Sequence, residues 1–272
     1  MKSMNCSYVR VLRRCSRGTA VAAIALLTVW NGGAPAGATT VRASETDRNP
    51  SLTVRVETHD GVESGIVFHE DLDAVSVIGL RPDQAARIDQ TLADHLVSSR
   101  HRFEALIDTW RGQTNTAPFH LSVRAIGTDA TRRLVSVVFQ TTVESSALAH
   151  SHSWFDAFNF DRKGRSLSLP ELLRPAGVEG IAGAASPVLA QLLAQRGNLG
   201  CTSDAHSITA LLVASASQPA GAHLGFTRSG ALVAIDDYAL GSYACGYATI
   251  TLPYRAVSGS IRPRYLRPGS GS

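Results

Sequence analysis

Hydrophobic and polar residues alternate at the start of the main body of the sequence, from Ser51 onward. The apolar positions there are Leu52, Val54 and Val56, each followed by a polar residue. Such alternation predicts a strand with one buried face, and Asp60-Gly61 is typical of the turn that ends it. A second short strand is predicted at 74–78.

The hydrophobic period changes at Pro82, where apolar residues begin to recur every three or four positions. This spacing places them on one face of a helix, and proline is favoured in the first turn. We therefore predict one long amphipathic helix over 82–108, with His95, Arg100 and Arg102 off or beside the apolar stripe and facing solvent. The stripe consists of Ala85, Ile88, Leu92, Leu96, Phe103, Leu106 and Ile107.

Alternation returns after Pro118 and predicts three neighbouring antiparallel strands. The middle strand carries apolar residues on both faces, which favours a central position in a sheet. Turns are predicted at 127–130 and at 161–164, where the sequence is Asp-Arg-Lys-Gly. The three strands are predicted at 119–125, 134–143 and 154–160.

Two shorter helices are predicted next. Ser168 is followed three positions later by Glu171, which is the capping-box spacing for a short helix ending at Leu173. Ser186-Pro187 is typical of a second helix start, and Gly197 of its end.

The remaining sequence, from Ser207 to about Tyr254, predicts three more strands with turns at 228–230 and around Gly241. The order of elements lacks the regular βαβ alternation of a doubly wound fold. We therefore predict a single α+β domain, in which one long and one or two shorter helices pack on an antiparallel β-sheet.

The first 38 residues have the composition of a signal peptide. Basic residues precede an uncharged apolar run at 19–30, and Ala36-Gly37-Ala38 follows as a cleavage signal. The run is shorter than the roughly 20 residues that span a bilayer. Retention as an N-terminal anchor is the alternative, and Arg13-Arg14 leaves twin-arginine export open beside the general secretory route.

Cleavage after Ala38 would make the protein secreted, with no transmembrane segment in the mature chain. The predicted divisions are a signal peptide at 1–38, a flexible leader at 39–50, the folded domain at 51–261 and a flexible tail at 262–272.

Net charge changes when the signal peptide is removed. Of 26 basic and 22 acidic residues, the first 38 positions hold five basic and no acidic ones, which leaves 21 against 22. A nearly neutral chain lacks the basic surface that binds phosphate backbones, so nucleic acid is excluded as a partner.

Cysteines 201 and 245 remain after cleavage. An even pair in an exported protein predicts a disulfide between Cys201 and Cys245. The alternative is two unpaired buried thiols.

The last third of the chain carries a distinctive segment, 225–246, which is followed by Ile250-Thr251-Leu252-Pro253-Tyr254. Together with Phe158-Asn159-Phe160-Asp161, it resembles the C-terminal extracellular domain of the anti-sigma factor RsiV. That domain of unknown function is also found in secreted mycobacterial antigens and beside the catalytic domain of some peptidoglycan deacetylases. The resemblance covers most of 51–261 and rests on structural motifs. Asp236 departs from the family pattern, which often has an apolar or aromatic residue there.

The resemblance also implies a type of partner. RsiV senses lysozyme by direct protein contact, so an extracellular protein or a cell-wall glycan is the expected partner here. The candidate ligand-binding residues are Asp237, Tyr238 and Tyr243, which lie in the most distinctive part of the segment. The alternative role for the tyrosines is to hold the turn together through their hydroxyl groups.

Other reactive residue types form no convincing site. His150 and His152 would share a strand face as metal ligands, but no third ligand is identifiable, so polar strand-edge histidines are favoured. Ser203, Asp204 and His206 have the residue types of a hydrolase triad, yet they are nearly adjacent and no nucleophile elbow surrounds the serine. Trp110 and Trp154 are expected to pack at the core or its edge.

We therefore expect no catalytic residues, no metal and no cofactor. The function that fits the sequence is a secreted, non-enzymatic binding or cell-envelope-associated protein. The alternative is a secreted hydrolase of cell-wall polymers.

Overall fold

The computed structural model describes residues 50–63, 65–110, 117–198, 200–214 and 221–266, so the predicted signal peptide and nearly all of the leader lie outside it. The strands in this part of the chain are β1 (Ser51–Glu63), β2 (Ile66–Ile78), β3 (Phe119–Ala130), β4 (Leu134–Glu144), β5 (His152–Asp161), β6 (Ala222–Phe226), β7 (Gly230–Ile235) and β8 (Ala248–Pro253). The helices are α1 (Pro82–Thr109), α2 (Leu169–Leu172), α3 (Gly177–Gln195), α4 (Ala205–Ala214) and α5 (Tyr254–Val257).

The first five strands form one sheet in sequence order. Neighbouring strands are antiparallel except β2 and β3, which run parallel. Parallel neighbours need a crossover connection, and the predicted long helix α1 is that connection. It covers one face of the sheet. The core between them includes Ile88, Leu92, Phe103, Ile107, Leu121, Phe139 and Phe160.

The last three strands form a second sheet in the order β6-β7-β8. Helices α3 and α4 pack on it, and their apolar residues share one core with the sheet. Polar contacts join the sheets: the N–H of Phe226 donates to Ser136 Oγ at 2.8 Å, and Asn159 Nδ2 donates to the Leu224 carbonyl at 2.8 Å. The α+β class and the mostly antiparallel sheet are confirmed. The parallel pairing of β2 with β3 and the separate second sheet are not predicted by the sequence.

Two predicted turns are instead parts of longer strands. β1 continues through Asp60-Gly61 to Glu63, and β3 continues through Gly127 to Ala130 with an irregularity between Ala125 and Gly127. A Cβ on Gly127 would lie 2.6 Å from the Leu232 side chain of the second sheet. Glycine is therefore required there for close packing between the sheets and not for a turn.

Two predicted boundaries in the helical region are also wrong. α3 begins at Gly177 and holds Pro187 inside it. Pro187 and Gly183 are both exposed, so the carbonyl that loses its helical donor faces water. The segment from Ser207 begins inside helix α4, because Asp204 accepts the N–H of Ser207 at 2.9 Å and caps the helix start.

The length of α3 bears on the membrane prediction. With 19 residues it is long and apolar enough to cross a bilayer, by length and composition alone. Its apolar side is buried in the second core, so it is a core helix of this domain. The buried positions are Gly177, Ile181, Ala182, Ala185, Leu189 and Leu193.

The folded part of the chain continues beyond residue 261, where the sequence predicts the end of the domain. The N–H of Arg262 donates to the Leu172 carbonyl at 2.9 Å, and Tyr265 is buried in the second core. The folded domain therefore extends at least to Leu266, and the predicted tail begins too early.

His95 lies in the core and not on the solvated face predicted for it. It is 7% exposed, and its ring centroid lies 4.8 Å from that of Phe139 and 5.1 Å from that of Phe158. Burial, aided by the charge of Arg102, lowers the pKa of His95 to about 4. His95 has the helical spacing of Leu92 and the other buried residues of α1. Because histidine is a polar residue type, the sequence alone does not indicate its burial.

This burial predicts an acid-sensitive fold. Between about pH 6.5 and 4, His95 is protonated in the unfolded chain but not in the folded protein. The free energy of unfolding therefore falls as pH falls through that window. The expected loss is about 3 kcal/mol. Because His95 Nε2 has no hydrogen-bond partner among the described residues, His95→Phe should fold and remove most of the loss, as measured by urea unfolding at pH 7 and 4.5.

His101→Phe is the matched control, since His101 is exposed on the same helix. Burial raises the pKa of nearby Asp156, which acts in the opposite direction, so the difference between variant and wild type reports His95. An undiminished acid loss in His95→Phe would show that another group causes it.

Candidate functional site

Asp236 directly follows β7, in the middle of the segment that carries the resemblance. It is 3% exposed. Its Oδ1 accepts the backbone N–H of Phe155 at 2.7 Å, and its Oδ2 accepts the backbone N–H of Gly221 at 2.8 Å. Nε2 of His223 lies 3.1 Å from the same Oδ2. Asp236 therefore joins the end of β7 to β5 and to the start of β6.

Asp237 makes a similar connection one residue later. Its Oδ2 accepts the backbone N–H of Ser153 at 2.6 Å, and its own N–H donates to the Ser153 carbonyl at 3.1 Å. Burial raises the pKa of the Asp237 carboxyl, against the lowering effects of the Ser153 amide and of His152. The two carboxylates thus satisfy alternate amides along the outer edge of β5, and the geometry gives Asp237 a structural role.

The next residue, Tyr238, has an unusual backbone conformation. Its φ is +66°, in the left-handed region that non-glycine residues rarely adopt. Hydrogen bonds on both sides hold it there: the Ala239 N–H donates to the Asp236 carbonyl, and the Gly241 N–H donates to the Tyr238 carbonyl, each at 3.2 Å. The side chain is 41% exposed. A strained backbone that presents an exposed aromatic ring is typical of recognition sites.

His150 and His152 lie beside Tyr238. The Tyr238 hydroxyl and His150 Nε2 are 2.7 Å apart, and the two imidazole centroids are 4.8 Å apart. The His152 ring is stacked with the Tyr238 ring at a centroid distance of 6.2 Å. Burial and the neighbouring His150 lower the pKa of His152, with Asp237 opposing them. We call His150, His152 and Tyr238 the aromatic-imidazole patch.

The disulfide predicted from the cysteine pair is present. Cys201 and Cys245 are bonded, with their Cα atoms 5.7 Å apart. Further contacts fix the same loop: Thr202 N–H donates to the Leu240 carbonyl at 2.9 Å, and Asn198 Nδ2 donates to the Ala244 carbonyl at 2.6 Å. The loop that bears Tyr238 is therefore anchored to the α3–α4 connection, and a structural disulfide indicates an extracytoplasmic location.

Tyr243 opens a short 3₁₀ turn, Tyr243–Cys245. Its proposed ligand-binding role concerns its side chain, which lies outside the described part of the structure. That role stays a prediction.

The remaining sequence candidates have structural positions. Both carboxylate oxygens of Asp204 bind Ser207, Oδ1 through the backbone N–H and Oδ2 through the hydroxyl at 2.8 Å, and these bonds lower the pKa of Asp204. They commit Asp204 to capping α4. Trp110 packs on Phe119 at a centroid distance of 5.9 Å, and Trp154 is partly buried against the first core.

A groove that the sequence did not reveal opens beside the outer edge of β5. Its volume is about 500 Å³, and Asp156 and His223 lie among mostly apolar lining residues. Burial raises the pKa of Asp156, and its Oδ2 has no hydrogen-bond partner among the described residues. The apolar lining comes from Ala157, Phe158, Leu169, Pro170, Val178, Leu212 and Val213.

Comparison with known proteins identifies a solved structure of similar fold. The sequence matches no protein-family model and no curated protein. A crystal structure of a DUF3298 family protein from Pseudomonas aeruginosa PAO1 aligns with a TM-score of 0.50 at 16% identity, over 81% of this chain and 97% of that one. A DUF3298 family member from Bacteroides fragilis aligns with a TM-score of 0.42 at 13% identity, over 80% of this chain and 96% of its own.

The DUF3298 family name belongs to the Pseudomonas protein, which is 16% identical to this chain. At this identity the likeness establishes a shared fold.

Proposed function

We propose that this protein is exported, with cleavage after Ala38, and acts as a non-enzymatic binding protein at the cell envelope. Its partner is an extracellular protein or a cell-wall glycan, and the aromatic-imidazole patch is the binding surface. The observation that carries the proposal is Tyr238, an exposed aromatic ring on a strained backbone in a loop anchored by a disulfide.

Physical chemistry supports such a surface. Tyrosine offers a large apolar ring and a polar hydroxyl with few rotatable bonds, so ordering it on binding costs little entropy. The hydrogen bond to His150 and the disulfide hold the ring in advance of binding. Rigid aromatic anchors of this kind dominate the energy of many protein interfaces.

Removing the ring should abolish most of the binding without unfolding the loop. Tyr238→Gly deletes the side chain and suits the positive φ, so thermal stability should be retained. Loss of an interface anchor of about 2 kcal/mol corresponds to roughly 30-fold weaker affinity. The measurements are sedimentation of the mature chain, beginning at Thr39, with peptidoglycan, and crosslinking to envelope proteins.

Val97→Ala is the control, because Val97 is an exposed apolar side chain on α1 and belongs neither to the patch nor to the groove at Asp156. Equal binding by Tyr238→Gly and wild type would place the binding surface elsewhere.

The groove at Asp156 favours the second candidate, a secreted hydrolase of cell-wall polymers. A carboxyl with a raised pKa in a concave site is suited to general acid catalysis. Incubation of the mature protein with peptidoglycan, with and without a chelator, separates the two candidates. Release of acetate or sugar that is lost in Asp156→Asn would refute the non-enzymatic proposal.

A further inference from the structure

Two histidines meet where β2 and β3 run parallel. His69 lies directly opposite His120 in the register, and Asp71 lies two residues beyond His69 on the same face of β2. The imidazole centroids are 5.0 Å apart. The three side chains project from the face of the sheet opposite α1, because Leu121 and its alternate neighbours on β3 fill the core under the helix.

The donor atoms of these residues converge. Asp71 Oδ1 lies 3.4 Å from His69 Nε2, and Asp71 Oδ2 lies 3.5 Å from His120 Nε2. One ligand atom from each of the three residues lies within 4.8 Å of the others. Tetrahedral zinc with bonds of about 2.0–2.1 Å places its ligand atoms about 3.3 Å apart, so the three atoms would have to move closer to one another by at most about 1.5 Å.

The surrounding groups orient the ligands. Asp60 Oδ1 lies 2.5 Å from His69 Nδ1, so a proton on Nδ1 leaves the Nε2 lone pair directed into the cluster. This carboxylate-imidazole pairing is the usual support of a metal-binding histidine. Nε2 of His120 is shielded from solvent and has no hydrogen-bond partner among the described residues.

Arg124 is the group that opposes a cation, because its Nη2 lies 3.2 Å from Asp71 Oδ2. The same guanidinium also contacts Asp73 Oδ1 at 3.4 Å and Ser122 Oγ at 3.2 Å. It can therefore release Asp71 and keep other partners. Asp60, Asp71 and Asp73 bring three carboxyl groups to this part of the sheet, against the single guanidinium of Arg124.

We propose that His69, Asp71 and His120 form a binding site for a divalent transition-metal ion, zinc in particular. Two imidazoles and one carboxylate are a ligand set that zinc prefers, and a fourth position stays open to solvent. The pairing of β2 with β3 spans only Phe68–Leu72. A bound ion would therefore fasten the β1–β2 hairpin to the rest of the sheet.

The test is a titration of the untagged mature chain with zinc, measured by calorimetry. Thermal unfolding is measured at several zinc concentrations. We expect saturable one-to-one binding and a melting temperature that rises with zinc concentration. His120→Gln should abolish both effects, whereas His59→Gln, on the exposed hairpin strand β1, should leave them unchanged. Cobalt(II) should give the visible absorption of a four-coordinate site in the wild type and not in His120→Gln.

Two further variants test the surrounding groups while the three ligands stay in place. Asp60→Asn should weaken zinc binding by about 10–100-fold. Arg124→Gln should strengthen it, because the competing charge is removed. Equal zinc binding by wild type and His120→Gln, or a loss in His59→Gln as large as that in His120→Gln, would overturn the proposal.

Discussion

Replacing Asp236 with alanine is expected to lower the free energy of unfolding by about 4 kcal/mol. The variant loses the carboxylate that accepts the backbone N–H groups of Phe155 and Gly221, and it leaves both donors buried without that acceptor. His223 loses a partner as well. A loss of this size is comparable to the whole stability of many domains, so part of the variant should be unfolded at 37 °C.

Urea unfolding followed by circular dichroism measures the effect. Asp94→Ala is the matched control, because Asp94 is an exposed aspartate on α1 and its loss should change stability by no more than about 0.5 kcal/mol. Asp236→Asn should also be destabilised, since an amide has one acceptor oxygen in place of two. A stability equal to that of Asp94→Ala would contradict the structural role given to Asp236.

The second large effect is expected from removal of the disulfide. The cysteines are 44 positions apart, and opening a loop of that length should destabilise the fold by about 4 kcal/mol in the chain-entropy account. We expect the double variant with Cys201→Ser and Cys245→Ser to melt well below the wild type. Because Cys245 lies in the loop that bears Tyr238, partner binding should weaken with it.

Reduction provides the control for this prediction. Wild-type protein treated with a reductant should melt with the double variant, and the variant itself should not respond to the reductant. Thiol titration of the denatured, unreduced mature protein should find no reactive thiols. Two reactive thiols per chain would show that Cys201 and Cys245 are not bonded in solution.

The sequence predicted the elements whose signals are local. The period of α1, the alternation in β3 and β5, and the capping box at Ser168 and Glu171 each arise within a few residues, and each is present. Elements whose identity depends on distant partners were predicted less well. Gly127 resembles a turn residue until Leu232 is placed against it, and Pro187 resembles a helix start until its solvent-facing position is known.

The candidate sites show the same division. The sequence identified His150 with His152 and, separately, Asp237 with Tyr238, but the hydrogen bond that joins His150 to Tyr238 crosses 88 positions. His69 and His120 are brought together by a parallel register that alternation cannot predict. Nothing local in the sequence shows that the carboxylates of Asp236 and Asp237 accept strand amides, so Asp237 is predicted as a ligand-binding residue.

The carboxylates along β5 also affect how the molecule behaves at high concentration. An open strand edge can recruit a strand from another molecule and so begin aggregation. At β5, Asp236 and Asp237 already occupy the amides of Phe155 and Ser153, and their negative charge repels incoming carbonyl groups. The opposite edge of the sheet, β1, is largely exposed over 13 residues. Charged side chains such as Arg55 and Glu57 lie along this edge and oppose pairing with another strand, so high salt, which screens their charges, would favour self-association through β1.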